Sequence, residues 1–206
     1  MSALSHTQAA QIVKQEWERI YGRPSTSLET LFMMAIGWLE THYGRAGQFA
    51  SWPEQGFYNW GNLTANKTSD GMCPVGSKSG GDTYDGKPVT ACFRVFGSDA
   101  EAANAMIRNL TKRHWPVAQA IADEGTAEAV AHAMKVSPAY YTAPESQYVT
   151  GIKNAASAIG KELKTTTQET VKKGVDTATS HPGLILGAIA VLGVGGFAAY
   201  KHYEKG

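Results

Sequence analysis

Glu40 is the residue of this sequence whose surroundings best suit acid–base chemistry. It ends an apolar stretch in which hydrophobic residues recur with helical spacing, namely Leu28, Leu31, Phe32, Ala35, Ile36 and Leu39. Gly44 is suited to end this helix in a left-handed conformation, which places Glu40 in the last turn. Because apolar neighbours and the negative helix end disfavour an ionised carboxylate, we expect a raised pKa. A carboxyl group protonated near neutral pH can donate a proton to a leaving-group oxygen, as in cleavage of a glycosidic bond; the alternative is a surface glutamate that closes a helix.

Four short motifs that include Glu40 follow one another along the chain. They are Glu40–Gly44, Asn59–Leu63, Phe93–Ser98 and Tyr140–Pro144, the last followed by Tyr148. In this order they resemble the Glu-[Ser/Thr]-x-[Trp/Tyr]-Gly signature, the Asn-rich aromatic segment, the strand with its following helix, and the closing tyrosine motif of the lysozyme-like peptidoglycan hydrolases. The resemblance is strongest for N-acetylglucosaminidases of the flagellar and autolysin type.

The resemblance implies a lysozyme-like glycosidase domain over residues 1–150, which cleaves β-1,4 bonds of the peptidoglycan glycan strand. Glu40 is then the general acid, and Tyr140 hydrogen-bonds the reacting sugar or Glu40 itself. The residues expected to contact substrate are Tyr58, Asn59, Trp60, Asn62 and Tyr141. Trp60 is equally suited to a place in the hydrophobic core.

The identity of a second carboxylate is open at this point. Residues 62–93, where the family places it, match the family pattern poorly, and Ala143 stands where the family usually has Asp. Asp82 and Asp85 are the main candidates, with Asp70 as a third. Any of them could position a water molecule or stabilise an oxocarbenium-like centre.

Two other functions fit the same residues. A lytic transglycosylase uses a single glutamate, here Glu40, first as acid and then as base, so it needs no second carboxylate. A non-catalytic module of lysozyme-like fold would hold glycan or a partner without turnover. The intact Glu40 favours an enzyme.

The elements that must position these residues are mainly helical. Helices are predicted over residues 7–21, 27–43, 98–113, 115–122 and 126–134. A hairpin-like stretch is expected over residues 65–96, with Gly80, Gly81 and Asp82 near its tip. The predicted fold class is therefore α+β, mainly α, with a small β-hairpin lobe.

The two cysteines, Cys73 and Cys92, lie on opposite arms of the predicted hairpin. In the loop-closure model, a disulfide between them would contribute on the order of 3 kcal/mol in an oxidising compartment. Two free thiols are the alternative. No metal site is expected, because two cysteines without clustered histidines make an incomplete site.

A C-terminal membrane anchor is predicted after a helical stalk. Residues 151–182 show helical spacing and form the stalk, and residues 183–200 are 18 residues without a charge. As a helix this run would be about 27 Å long, close to the roughly 30 Å hydrocarbon core of a bilayer. Gly183 and Gly187 would let two such helices self-associate. The alternative for residues 183–200 is a helix buried in the protein core. Residues 201–206 are predicted to form a short polar tail.

Location and partners follow from these segments. The C-terminal segment predicts a single-pass membrane protein. Because the N-terminus lacks the apolar run of a signal peptide, this combination suits a protein in the membrane of a virus particle that is delivered to the cell wall. The expected partners are peptidoglycan and, through residues 183–200, a lipid bilayer. A net charge of +1 gives no strongly basic face, so nucleic acid is not expected, and neither is a cofactor.

Overall fold

The computed structural model describes residues 4–84, 87–136 and 144–180. In chain order the elements are α1 (His6–Tyr21), α2 (Ser27–Thr41), β1 (Thr64–Ala65), β2 (Ser77–Tyr84), β3 (Lys87–Arg94), α3 (Asp99–Arg108), a π-helical turn (Asn109–Arg113), α4 (Trp115–Asp123), α5 (Ala127–Val136) and α6 (Glu145–Ser180). Two short 3-10 turns, Gly47–Phe49 and Pro53–Gln55, lie between α2 and β1. The fold is mainly helical with one small antiparallel sheet, which confirms the predicted α+β class.

The first two helices begin with the same capping arrangement. The Ser5 hydroxyl accepts a hydrogen bond from the backbone N–H of Gln8, and Thr26 accepts one from Glu29. The carboxylate of Glu29 in turn accepts a bond of 2.7 Å from the backbone N–H of Thr26. These reciprocal bonds satisfy donors that a helix start leaves unpaired, so the sequence fixes where each helix begins.

The hydrophobic core lies where α1, α2 and α3 pack together. Its fully buried side chains include Val13, Trp17, Met33, Met34, Ile36, Met106 and Ile107. Helix α2 is buried along most of its length, as its continuous apolar sequence predicts. The helix that carries Glu40 is therefore held by the interior of the protein.

The sheet has the strand order β1-β3-β2, and both strand pairs are antiparallel. Its ladder pairs Gly80 with Ala91 and Asp82 with Val89, and it continues to Tyr84 opposite Lys87. The prediction that Gly80, Gly81 and Asp82 lie near the tip is therefore wrong, because all three belong to strand β2. A Gly-Gly pair suggests a turn, but within a strand it instead marks a close approach of another group.

A disulfide bond joins the loop before β2 to the sheet. It links Cys73 to Cys92 of β3, with 5.3 Å between their Cα atoms. On the sheet, a small buried cluster of Phe49, Trp52 and Phe93 packs the two 3-10 turns against β3. The β lobe is thus held by one covalent link and one aromatic cluster.

The chain divides into two compact units, residues 1–160 and 161–206. In the first unit, the beginning of α6 buries Ile152, Ala155 and Ile159, which recur at helical spacing. In the second unit, residues 161–180 are helical.

The predicted membrane location requires correction. Among the described residues, no helix is both long enough and apolar enough to cross a bilayer. Residues 183–200, including Gly183 and Gly187, carried the predictions of a transmembrane helix and of self-association, and they lie outside the described residues. A membrane location is therefore not assigned to this protein.

Candidate active site

The chain turns sharply directly after Glu40, at the end of α2. Three successive residues, His42, Tyr43 and Gly44, adopt left-handed backbone conformations, with φ of 48°, 58° and 76°. The backbone N–H of Tyr43 returns to the carbonyl of Gly37 at 3.1 Å, which closes the helix. A Cβ atom on Gly44 would lie 3.1 Å from the backbone nitrogen of Asn59, so only glycine permits this approach.

The Thr41 side chain holds this turn in place. Its buried hydroxyl donates to the Trp60 carbonyl at 2.7 Å and accepts from the Gly44 N–H at 2.8 Å. One side chain therefore ties the helix end, the turn and the 57–63 loop together. The position of the neighbouring Glu40 backbone is fixed by these bonds.

Aromatic side chains fill the interior behind the turn. Tyr43 is fully buried, with its ring centroid 4.8 Å from that of Trp60. Its hydroxyl lies 3.0 Å from Nδ1 of His6. The Trp60 Nε1–H donates to Asp99 at 2.8 Å, and Arg45 binds both carboxylate oxygens of Asp99 at 2.8 and 2.9 Å. The polar groups of these side chains behind the turn thus have hydrogen-bond partners.

The Glu40 side chain differs from these hydrogen-bonded side chains. Its Oε1 atom is buried and has no hydrogen-bond partner among the described residues. Burial raises the pKa of Glu40 to about 8, and the charge of Asp82 acts in the same direction. The shift has the direction that the sequence predicts. At neutral pH this carboxyl group holds a proton that it can donate to a bound molecule.

Asp82 is the predicted carboxylate that the structure brings into electrostatic contact with Glu40. It lies on β2, and Gly80 lies two residues earlier, so the two share one face of the strand. A Cβ atom on Gly80 would lie 2.1 Å from Oε1 of Gln48, which shows how closely this side chain covers the strand. Gln48 was not predicted from the sequence, although the Gly-Gly pair is the signal of such an approach.

Two predicted substrate contacts, Asn59 and Trp60, are fully buried. The Asn59 side-chain amide donates to the carbonyls of Leu63 and Arg94, both at 2.9 Å, and its oxygen accepts from the Leu63 N–H. Both Asn59 and Trp60 therefore support the loop from inside. For Trp60 the structure shows the alternative, a position in the core.

Of the other predicted site residues, Tyr58 and Asn62 are among the described residues, and three more are not. Tyr58 is half-buried, and its backbone pairs with that of Phe96. Asn62 has a left-handed backbone with φ of 51°, and its Oδ1 is buried without a hydrogen-bond partner among the described residues. Tyr140, Tyr141 and Asp85 lie outside the described residues.

Within residues 4–84, 87–136 and 144–180, no cluster of His, Cys, Asp and Glu could hold a metal ion.

No protein-family model matches this chain, and no curated protein matches it. Two solved structures resemble it. One is the glycoside hydrolase domain of FlgJ from Salmonella typhimurium, at 20% identity and a TM-score of 0.49, covering 86% of this chain and 99% of that chain. The other is a C-terminally truncated form of the same domain, at 19% identity and a TM-score of 0.44, covering 78% of this chain and 99% of that chain.

Proposed function

We propose that this protein is a glycosidase that cleaves β-1,4 bonds of the peptidoglycan glycan strand, with Glu40 as the general acid. The observation that carries this proposal is the state of the Glu40 carboxyl group. Its Oε1 is buried without a hydrogen-bond partner among the described residues, and its pKa is raised to about 8. The glycosidic oxygen of a bound glycan would accept the proton of this carboxyl group as the bond to the sugar breaks.

Asp82 is the second carboxylate of the proposed reaction. Its charge already acts on Glu40, which supports a position across the same cleft. As the glycosidic bond breaks, positive charge develops on the sugar ring, and the Asp82 carboxylate would stabilise it. A water molecule then attacks the anomeric carbon and loses its proton to a carboxylate. Hydrolysis of this kind needs two carboxyl groups in different states, which Glu40 and Asp82 can supply.

The choice of peptidoglycan rests on the four sequence motifs, and the type proposed is the N-acetylglucosaminidase. Tyr58 and Asn62, both half-buried, are the proposed substrate contacts among the described residues, because an aromatic ring suits the apolar side of a sugar and an amide suits an acetamido group. Tyr140 and Tyr141 keep their predicted roles at the reacting sugar. Asn59 and Trp60 support the loop that carries these contacts.

Digestion of purified peptidoglycan, followed by mass spectrometry of the soluble products after borohydride reduction, tests the proposal. We expect fragments with reduced glucosamine ends. Anhydromuramic ends would instead identify a lytic transglycosylase that works with Glu40 alone, and reduced muramic acid would identify cleavage of the other bond. Release of peptides alone, or of nothing, would contradict a glycosidase, and the non-catalytic glycan-binding module would then be the better interpretation.

A further inference from the structure

A pocket of about 680 Å³ lies between α1, the end of β3, α3 and the π-helical turn. Five basic and two acidic side chains line it, whereas the whole chain has a net charge of only +1. Neither Glu40 nor Asp82 is among its lining residues. The pocket therefore carries an excess of basic side chains at a place other than Glu40.

The two acidic residues of this pocket are already bound by their neighbours. Glu16 is buried, accepts a hydrogen bond of 2.7 Å from Asn104 and lies 3.3 Å from the Arg19 guanidinium. Glu101 accepts a bond of 2.8 Å from the backbone N–H of Gly97. Both carboxylates thus have partners, and none of these partners is a basic residue of β3 or of the π-helical turn.

Four of the five basic residues of the pocket have no carboxylate partner among the described residues, and one of them, Arg108, instead donates to the side-chain oxygen of Asn104. Among the described residues, none forms a salt bridge with Arg94, Lys112 or Arg113, and all three are exposed. Arg94 comes from β3 and the other two from the π-helical turn. Guanidinium groups present planar pairs of donors that match phosphate and carboxylate oxygens. An oxyanion bound here would meet donors from two separate elements.

The π-helical turn explains why Arg113 joins this surface. In an α-helix, a residue five positions beyond Arg108 would be rotated about 140° away from it. In a π-helix, the hydrogen bond runs from residue i to i+5, as between the Asn109 carbonyl and the His114 N–H at 3.0 Å, so such residues stack along one side. Arg108, Lys112 and Arg113 therefore all line the pocket.

Arg94 of the pocket and Asp82 of the Glu40 site lie on opposite faces of the sheet, because successive side chains along a strand point to alternate faces. Asp82 pairs with Val89, so the two side chains point to the same face. Arg94 is five residues beyond Val89 on the same strand, and an odd separation directs its side chain to the opposite face. A ligand held by Arg94 therefore need not contact Asp82.

We propose that this pocket binds the phosphate or carboxylate groups of an anionic polymer at a site distinct from Glu40. Its open shape and the spread of donors over β3 and the π-helical turn suit successive charged groups along a chain. The lining contains one aromatic residue, the half-buried Phe96, and so offers no series of stacking surfaces for nucleobases. The binding is independent of whether Glu40 cleaves glycan.

Fluorescence anisotropy with full-length protein tests this site, using labelled linear polyphosphate and labelled poly-γ-glutamate as separate probes. The variant Arg94→Ala/Arg113→Ala removes two unpaired pocket charges. The matched control Lys14→Ala/Lys67→Ala removes two exposed charges that do not line the pocket. We expect the pocket variant to weaken binding of at least one polymer by about tenfold or more, and the control by about twofold or less. The polymer affected shows whether phosphate or carboxylate is the preferred group.

Cleavage of peptidoglycan by the pocket variant gives a separate readout. Turnover of short soluble glycan fragments should be unchanged, because Arg94 and Arg113 have no part in the proposed reaction. Absence of polymer binding by the unmodified protein at 0.15 M salt would overturn the site, as would equal weakening in both double variants. Tighter binding of a single-stranded DNA oligonucleotide than of polyphosphate would also overturn it, in favour of nucleic acid. None of these outcomes bears on the role of Glu40.

Discussion

Glu40 and Asp82 act on each other electrostatically, yet they belong to regions that are held in different ways. Glu40 lies near the end of a helix whose preceding turns are buried in the core. Asp82 lies on β2, which is an edge strand of a three-stranded sheet. Apolar packing positions the first carboxyl group, whereas a hydrogen-bonded ladder, a disulfide and a small aromatic cluster position the second.

This difference assigns the two carboxyl groups different tasks. Burial keeps Oε1 of Glu40 away from water, and no described residue forms a hydrogen bond with it, so its proton is retained. Asp82 contributes the charge that further raises the pKa of Glu40. The pKa of Glu40 is therefore set mainly by burial and adjusted by the Asp82 charge from the β lobe. Variants in each region should separate the two contributions.

The largest effect is expected for Glu40→Gln, which keeps the size of the side chain but cannot donate an acidic proton. The rate at which the enzyme cleaves purified peptidoglycan should fall by roughly two to four orders of magnitude. The loss of turbidity of a peptidoglycan suspension measures this rate. The exposed Glu18, also on a helix, offers the matched control Glu18→Gln, which should retain full activity. Near-normal turnover by Glu40→Gln would contradict the proposed reaction.

The same variant has a stability readout with a definite sign. Because the pKa of Glu40 is raised from 4.5 to about 8, the native state keeps a proton that the unfolded chain releases between these pH values. Stability therefore falls as pH rises through this window. Gln carries no such penalty, so Glu40→Gln should melt at a higher temperature than the unmodified protein at pH 8. At pH 4 the two should melt at similar temperatures.

Features that depend on local sequence could be predicted for this protein. The apolar spacing before Glu40 defines helix α2 within a few residues, since this signal acts over one or two turns. The direction of the Glu40 pKa shift follows from the same pattern. The placement of a carboxyl group at the end of an apolar helix is thus contained in a short stretch of chain.

Features that depend on distant partners could not be predicted. Trp60 is interior because its Nε1–H finds Asp99, which is 39 residues away in the sequence. Asn59 is interior because its side-chain amide donates to the backbone carbonyl of Arg94, 35 residues away in the sequence. The sequence shows an aromatic residue beside an amide, and such a pair suits sugar binding as well as core packing. Only the tertiary structure distinguishes these uses.

The next largest effect concerns the β lobe. Replacing both cysteines, in Cys73→Ser/Cys92→Ser, removes a crosslink across a separation of 19 residues and should lower the free energy of unfolding by about 3 kcal/mol. Urea denaturation under oxidising conditions measures the loss. Adding a reductant should destabilise the unmodified protein to a similar extent and leave the double variant unchanged. Identical unfolding curves for unmodified and variant protein would show that the lobe is held by other contacts.

The smallest of the three effects is expected for Asp82→Asn, which removes a charge from the lobe and leaves the helix intact. If Asp82 is the second carboxylate, turnover should fall by about ten- to a hundredfold. The pKa of Glu40 should also move down, because part of its rise comes from the Asp82 charge. Activity depends on protonated Glu40, so the alkaline limb of the pH profile should shift to lower pH. It should stay above the ordinary value of 4.5, since burial is the larger cause.

Asp70→Asn is the matched control for this variant, because Asp70 is an exposed carboxylate of the same lobe and its hydrogen bonds to described residues stay within its own turn. It accepts hydrogen bonds from Thr68 and from the backbone N–H of Met72. We expect no shift of the alkaline limb and normal turnover in this control. A shifted limb with normal turnover in Asp82→Asn would mean that Asp82 adjusts the acid without taking part in the reaction. That result would favour the single-glutamate transglycosylase over the hydrolase, because only the hydrolase requires the second carboxylate during turnover.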